Sequence, residues 1–228
     1  MNHNPILVAI DTPEITQARR LIAATASSVG GVKLGLEFFV AHGPAGIKEA
    51  AAGQPNLFLD LKLHDIPNTV AGAVKSALPL DPLLMTIHCT GGPAMMKAAA
   101  EARGNARTKI LGVTILTSLD DSDLTATGQN GPVATQVVRL AKLAQASGID
   151  GVVCSPQEVA LIREACGPKF LLVVPGIRPA GAAIGDQKRV QTPRSAVEAG
   201  ADYLVIGRPI TEAPDPAAAA KAILAELP

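Results

Sequence analysis

The sequence predicts an α/β fold, a single-domain (β/α)8 TIM barrel spanning residues 1–228. Three observations favour it. Short apolar runs typical of buried parallel strands alternate eight times with Ala-rich helical stretches. No linker or change in composition divides the chain, and its 228 residues approach the typical barrel length of about 250. A doubly wound open sheet is the alternative, but no G-x-G-x-x-G follows the first strand, which disfavours its dinucleotide-binding form.

The elements are predicted in chain order from these runs. Strands are expected at Ile6–Ile10, Gly31–Gly35, Asn56–Leu61, Leu83–Ile87, Ile110–Leu116, Gly151–Cys154, Phe170–Val174 and Tyr203–Ile206. Helical patterns include Thr16–Ser27, Asn68–Leu78, Pro93–Arg103, Pro132–Ser147, Pro156–Cys166, Pro193–Ala199 and Pro216–Leu227. Several begin with Pro in the first turn and stop at Gly, the usual asymmetry of helix ends; the stops are Gly104, Gly148, Gly167 and Gly200.

Composition excludes several classes of function. The 20 basic and 20 acidic residues cancel, so no nucleic-acid or membrane-surface binder is indicated. With no Trp and one Tyr, the chain has no base-stacking platform. Three scattered cysteines favour neither a disulfide framework nor a zinc site. Without a signal-like N-terminus or a run of membrane-spanning length, we expect a cytoplasmic protein with no membrane partner.

The segment Leu57–Thr69 indicates a catalytic site. Its apolar residues are interleaved with Asp60 and Lys62, which lie two apart on a predicted strand and should share a face. Asp65 follows the strand, just before the helix that Pro67 starts. Placing charges at the end of a buried strand has a large desolvation cost that packing does not require. A solvated strand end or a structural ion-pair network is the alternative.

A barrel gathers its catalytic groups where strands end, and polar residues occur at these positions. Asp11 ends the first strand, Lys33 lies in the second, and the fifth runs into Thr117. His88 ends the fourth strand, and His64 lies inside the charged segment. For His88 we expect a packed, hydrogen-bonded role, which is common for a His at a strand end. For His64 we do not expect acid–base work either, because it should alternate away from the Asp60–Lys62 face.

Two Gly-Arg-Pro-like segments after the last strands predict a phosphate site. V-P-G-I-R-P contains Arg178, and I-G-R-P-I contains Gly207 and Arg208. Barrels commonly bind phosphate in these loops, and guanidinium groups are bidentate donors to anions. A plain turn with a surface Arg is the alternative. The long loop Ala180–Gln191 between the two segments could form a lid.

These motifs together closely resemble the bacterial type of the orotidine 5′-phosphate decarboxylase family over essentially the whole chain. The most specific motif is F-L-D-L-K-L-H-D-I-P-N-T. It is joined by L-V-A-I-D, V-K-L-G-L-E, V-T-I-L-T-S, P-G-I-R-P, G-D-Q-K-R and Y-L-V-I-G-R-P-I-T. A D-x-K-x-x-D alone is shared with related sugar-phosphate decarboxylases and synthases. Cys89 departs from the pattern, since a smaller residue is expected there.

The resemblance implies decarboxylation of orotidine 5′-phosphate to uridine 5′-phosphate, the last step of de novo UMP synthesis, without metal or organic cofactor. It implies that Lys62 protonates C6 as carbon dioxide leaves. Asp60 would lie against the substrate carboxylate, with Lys33 between Asp60 and a ribose hydroxyl. Asp65 and Thr69 would serve the neighbouring subunit, which implies a homodimer with shared active sites.

The remaining implied roles concern binding. Asp11 would bind the ribose and Thr117 the pyrimidine edge. The ring–phosphate end of the ligand would be held by Arg178, Gln187, Gly207 and Arg208.

The chemistry of the residues agrees with an acid role for Lys62, because flanking carboxylates favour its ammonium form. A protonated lysine cannot form a Schiff base. Two other functions stay open. Asp60 and Asp65 could hold Mg²⁺ for an enediolate reaction on a sugar phosphate, since carboxylate oxygens suit that ion. A non-catalytic nucleotide-binding or scaffold barrel would keep the phosphate loops without needing the charges.

Overall fold

The structure is a computed structural model that describes residues 4–54, 56–129, 131–179 and 191–228. In this part of the chain, parallel strands close into a barrel in the order β1 to β8, each pairing with its sequence neighbours and β8 with β1. The predicted (β/α)8 fold is therefore confirmed. The strands are β1 Ile6–Ile10, β2 Gly31–Gly35, β3 Leu57–Leu63, β4 Leu84–His88, β5 Lys109–Val113, β6 Gly151–Val153, β7 Leu171–Val174 and β8 Tyr203–Ile206.

Helices surround the barrel, most of them between consecutive strands. They are α1 Ile15–Thr25, α2 Leu36–Ala50, α3 Pro67–Ala77, α4 Gly92–Arg103, α5 Asp121–Ala126, α6 Val133–Ala146, α7 Val159–Cys166, α8 Pro193–Glu198, α9 Arg208–Thr211 and α10 Pro216–Ala225. The predicted glycine stops all have positive φ, a conformation that glycine adopts without steric cost. None of the helices in the described residues is long and apolar enough to cross a membrane.

The core has two parts, because strand residues alternate between the inside and outside of the cylinder. The larger cluster joins the outward-facing strand residues to the helices. The smaller cluster comes from strand residues alone and fills the barrel interior; it consists of Leu7, Ala9, Phe58, Leu84, Leu111, Val173 and Val205. Both faces of each strand are thus covered, which explains the nearly continuous apolar runs in the sequence.

Two arginine–aspartate pairs fasten the N-terminal ends of strands. Arg163 donates to Asp202 and to the backbone carbonyls of Gly167, Phe170 and Gly200, while Asp202 accepts the Leu172 N–H. Arg103 and Asp150 repeat the arrangement, with Asp150 accepting the N–H of Ile110 in β5. These contacts lie at the opposite end of the barrel from the polar strand ends.

The main differences from the predicted elements concern two helices and one strand. Helix α2 follows β2, where no helix was assigned; Gly43, at φ 59°, and Pro44 kink it and interrupt its pattern. The short helix α5 was also unassigned, although Asp120 and Asp123 form a capping box at its start. Strand β5 ends at Val113, three residues before the predicted Leu116, so the residues after Val113 belong to the loop at the barrel mouth.

Cys89 fits because of the strand beside it. The thiol is fully buried after β4, and a Cβ at Gly112 in β5 would collide with its sulfur. The glycine on the neighbouring strand therefore gives the space that the larger side chain at position 89 occupies. Burial raises the pKa of this thiol to about 12, so it stays protonated and inert at neutral pH.

Candidate active site

A cavity of about 480 Å³ opens at the C-terminal ends of the strands. Eight of the predicted site residues line it: Asp11, Lys33, Asp60, Lys62, Thr117, Arg178, Gly207 and Arg208. They come from or directly follow five different strands and the loop after β7, the arrangement expected at the functional face of this fold. The volume is within the range of small-molecule sites, roughly 300–1,000 Å³.

Charged groups of alternating sign form a row along one wall. Lys33 Nζ lies 2.9 Å from Asp11 Oδ1 and 3.8 Å from Asp60 Oδ2. Lys62 Nζ lies 2.8 Å from the same Asp60 oxygen. The row therefore reads Asp11, Lys33, Asp60, Lys62, with the two central side chains almost completely buried.

Asp60 stays ionised in this row. Burial alone would raise its pKa, but the charges of Lys33 and Lys62 and the hydrogen bonds from Lys62 and Thr86 outweigh burial and lower the pKa below its ordinary value. Its two oxygens are both engaged, Oδ1 by the Thr86 hydroxyl and Oδ2 by Lys62.

Lys62 reaches Asp60 through an irregularity in β3. The pairing of β3 with β4 shifts register between Leu59 and Leu63, and Lys62 has a φ of 51°, in the left-handed region. Such a conformation costs a non-glycine residue about 1–3 kcal/mol and occurs mainly at functional sites. Simple strand alternation predicted that Asp60 and Lys62 would meet. They do meet, but a strained bulge sets their geometry.

Two arginines line the part of the cavity formed by the loops after β7 and β8. Arg178 belongs to the first loop, and Arg208 begins helix α9 after Gly207. Because α9 has only four residues, its dipole is small and the guanidinium groups supply most of the attraction for an anion. The exposed carboxylate of Glu212 also lines this cavity.

Two predicted site residues lie apart from this cavity in the single chain. Asp65 and Thr69 are exposed at the start of α3 and are not among the described residues that line the cavity. Asp65 Oδ1 accepts the N–H of Ile66, 2.6 Å away. Within one chain, Asp60 thus lines the cavity and Asp65 does not, which disfavours a magnesium site held by both. Gln187 and most of the predicted lid 180–191 lie outside the described residues.

Apolar side chains are exposed around the same edge. Leu36 and Val40, at the start of α2, are 57% and 76% exposed, and Ile66 beside Asp65 is 66% exposed. They follow the C-terminal ends of the neighbouring strands β2 and β3. Large apolar residues grouped in this way are typical of a surface that another protein covers.

The two histidines near the charge row pack against each other. The rings of His64 and His88 lie 5.4 Å apart, centroid to centroid. Burial, followed by the charges of His64 and Lys62, lowers the pKa of His88, although Asp60 opposes the shift. His88 is therefore neutral at pH 7. Neither ring is among the described lining residues of the cavity; His88 is half-buried, whereas His64 is exposed.

Sequence reasoning missed some residues of the site. Ile115 and Cys154 form an apolar part of the cavity wall, and Thr86 contacts Asp60 from β4. Thr86 carried a signal in the sequence, since it is the one polar residue inside the apolar run L-L-M-T-I. Its importance depends on which residue lies across from it in the barrel.

Comparisons with known proteins identify the family of the chain. Residues 4–223 match the family described as "Orotidine 5'-phosphate decarboxylase / HUMPS family". The orotidine 5′-phosphate decarboxylase of Rhodospirillum rubrum is 53% identical over all of this chain and 95% of its own length. That of Anaeromyxobacter sp. strain K is 55% identical over 97% of both chains.

A solved structure extends the similarity to the fold. The crystal structure of orotidine 5′-phosphate decarboxylase from Lactobacillus acidophilus has a TM-score of 0.85 and 40% identity, over 98% of each chain. The chain therefore belongs to the orotidine 5′-phosphate decarboxylase / HUMPS family.

Proposed function

We propose that this chain decarboxylates orotidine 5′-phosphate to uridine 5′-phosphate, as a carbon–carbon lyase that needs neither metal nor organic cofactor. This reaction is supported by the family to which the chain belongs and by relatives of more than 50% identity that are named for it. The observation that carries the mechanism is the charge row, in which the ammonium of Lys62 lies 2.8 Å from a buried, ionised Asp60. The whole barrel acts as one catalytic domain.

Lys62 is the acid of this mechanism. When the bond between C6 and the carboxylate breaks, its electron pair stays on C6, where the ring gives little conjugation to absorb it. A proton from the Lys62 ammonium neutralises that pair, carbon dioxide leaves, and the lysine regains a proton from solvent. Asp60 holds the Lys62 ammonium in place through an ion pair, with Nζ 2.8 Å from Oδ2.

Asp60 also places a negative charge beside the substrate carboxylate. The repulsion between the two is relieved as the carboxylate departs, so the interaction favours the transition state over the bound substrate. Lys33 balances the row from the other side and reaches the ribose with Asp11. Binding energy from the distant phosphate offsets the cost of bringing the two carboxylates together.

The other residues bind and orient the nucleotide. Arg178 and Arg208 hold the phosphate, with Gln187 and Gly207 at the same end of the ligand. Thr117 contacts the pyrimidine edge. The apolar wall of Ile115 and Cys154 covers the ring and keeps water from it, which strengthens the electrostatic interactions inside.

A second copy of the chain completes each site. Asp65 and Thr69 are exposed beside the cavity rather than in it, and the apolar residues Leu36, Val40 and Ile66 are exposed on the same edge. A symmetric dimer that covers this edge would bury the apolar groups and bring each Asp65 to the partner's charge row. Asp65 and Thr69 then serve the opposite subunit.

The substitution Lys62→Ala tests the central role. We expect turnover, followed by loss of orotate absorbance, to fall about 10²–10⁴-fold or more, the share that a general acid supplies. Affinity for uridine 5′-phosphate should change little, because the phosphate end is intact. Lys97→Ala, which removes an exposed lysine of α4, is the matched control and should keep wild-type turnover.

The same assay tests whether turnover requires a metal ion. Wild-type turnover should persist after dialysis against a chelator. Turnover that survives in Lys62→Ala contradicts the acid role, and turnover that the chelator abolishes contradicts metal-free chemistry.

A further inference from the structure

Thr86 lies in the middle of β4 and is completely buried. Its hydroxyl forms hydrogen bonds with two members of the charge row, Asp60 and Lys62. It donates to Asp60 Oδ1 at 2.9 Å and accepts the backbone N–H of Lys62 at 2.9 Å. A hydroxyl can donate and accept at the same time, so one small side chain joins both residues. Thr86 is not among the described residues that line the cavity.

The register of β3 against β4 explains why this hydroxyl is needed. Leu59 pairs with Met85, and the next pair is Leu63 with Ile87. Three residues of β3, from Asp60 to Lys62, therefore stand opposite Thr86 alone, which is a bulge with two extra residues. The N–H of Lys62 has no ladder position there, and the Thr86 side chain accepts the bond instead.

The two bonds fix the two degrees of freedom that matter for the charge row. The bond to the Lys62 N–H holds that residue in its left-handed conformation, with φ at 51°, and so sets the direction of its side chain. The bond to Asp60 Oδ1, with Lys62 Nζ on Oδ2, fixes the plane of the carboxylate. A methyl group in place of the hydroxyl would make neither bond and would leave both undefined.

We propose that Thr86 is a positioning residue for the decarboxylation: its hydroxyl holds the strained bulge so that Asp60 and Lys62 address the same substrate atoms. This inference rests on the roles proposed above for those two residues. It extends the machinery to a residue that is out of reach of the ligand and acts only through others. The side chain at this position must therefore carry one group that donates and accepts.

Three variants separate the hydroxyl from the packing. Thr86→Val keeps the shape of the side chain and removes the hydroxyl. Thr86→Ala removes both the hydroxyl and the γ-methyl group. Thr86→Ser keeps the hydroxyl and removes only a methyl group. Thr108→Val is the matched control: Thr108 is also buried, and its hydroxyl donates to the Pro82 carbonyl at the far end of the barrel, just before β5 begins.

We expect Thr86→Val to lower kcat about 10²-fold, the effect of a small misplacement of reacting groups, with KM within about threefold of wild type. Thr86→Ser should recover kcat to within about fivefold of wild type, since the bonding groups are present. Thr108→Val should lose thermal stability and keep kcat. Affinity of Thr86→Val for uridine 5′-phosphate should match wild type.

The outcomes distinguish the two proposals. A Thr86→Val enzyme with wild-type kcat, when Lys62→Ala is inactive, overturns the inference and leaves the proposed function intact. An active Lys62→Ala enzyme overturns the proposed acid role of Lys62, and a wild-type protein that does not turn over orotidine 5′-phosphate overturns the proposed function itself. If neither hydroxyl-free variant folds, Thr86→Ser decides alone: a kcat near wild type supports the inference, and a large loss overturns it.

Discussion

Asp60 keeps a negative charge at a place where burial would by itself remove it. Two lysines and two hydrogen bonds compensate for the lost water, and the pKa of the carboxyl falls below its ordinary value. A group whose pKa is lower in the folded state stabilises the fold above its unfolded pKa of about 3.9, and that contribution disappears as the pH falls through the folded value.

This linkage predicts a pH dependence of stability. The free energy of unfolding of wild type minus that of Asp60→Asn should be largest near neutral pH and should shrink below about pH 4. Chemical denaturation of both proteins between pH 7 and pH 3 measures the difference. A difference that grows toward acid pH would mean that the pKa of Asp60 is raised instead.

The charged residues of the site could be predicted from sequence, but their supports could not. Asp60 and Lys62 stand out because charge inside an apolar strand is costly. Thr86 is visible as the one polar residue of its apolar run, but its role depends on a register shift between two strands, which the residue types do not indicate. The positive φ of Lys62 likewise results from the bulge, and it could not be predicted from the residue types.

Among the elements, the strands were the easiest to predict, because strands that are buried on both faces have continuous apolar sequences. Helix α2 was missed because Gly43 and Pro44 interrupt its pattern, yet packing of Phe38 and Ile47 against the core holds both halves in place. Tertiary contacts there override local preference. The length of β5 was overestimated because apolar residues such as Ile115 also line the cavity beyond the strand.

The arginine–aspartate pair at the start of β7 and β8 predicts a strong local effect on stability. Arg163→Met should lower the free energy of unfolding by about 2–3 kcal/mol, because three backbone carbonyls and the Asp202 carboxylate lose a donor. The control Arg19→Met breaks an exposed ion pair with Glu49 and should change the free energy of unfolding by no more than about 0.5 kcal/mol.

Urea denaturation compares the two variants, and kcat of each folded protein should equal that of wild type. Equal losses of stability in the two variants would contradict a special role for the strand-end pair.

Across the whole molecule, stability and chemistry occupy opposite ends of the barrel. The aspartate–arginine contacts fasten the strand beginnings, while the strained charge row lies at the strand ends. The proposed dimer adds a second division, since each cavity would take Asp65 from the other chain. Sequence alone indicated this arrangement only through resemblance, because no residue pattern states which subunit a side chain serves.

Mixed dimers test that division. Lys62→Ala and Asp65→Asn homodimers should each be inactive, but their mixture contains dimers with one intact site. Random pairing should restore roughly a quarter of wild-type activity, because half of the dimers are mixed and each has one complete site. The control mixture of Lys62→Ala with Asp60→Asn should stay inactive, since both residues serve their own chain. Equal activity in the two mixtures would contradict the shared site.

The two extra residues of β3 leave the rest of the cylinder in register. Pairing with β4 stops at Leu59 and resumes at Leu63, and β4 itself pairs with β5 without interruption from Leu84 to His88. Asp60 and Lys62 thus lie in an insertion that the sheet absorbs locally. Substitutions inside that short insertion can change the chemistry of the barrel without any adjustment of its closure, so new reactions could evolve here while the scaffold stays the same.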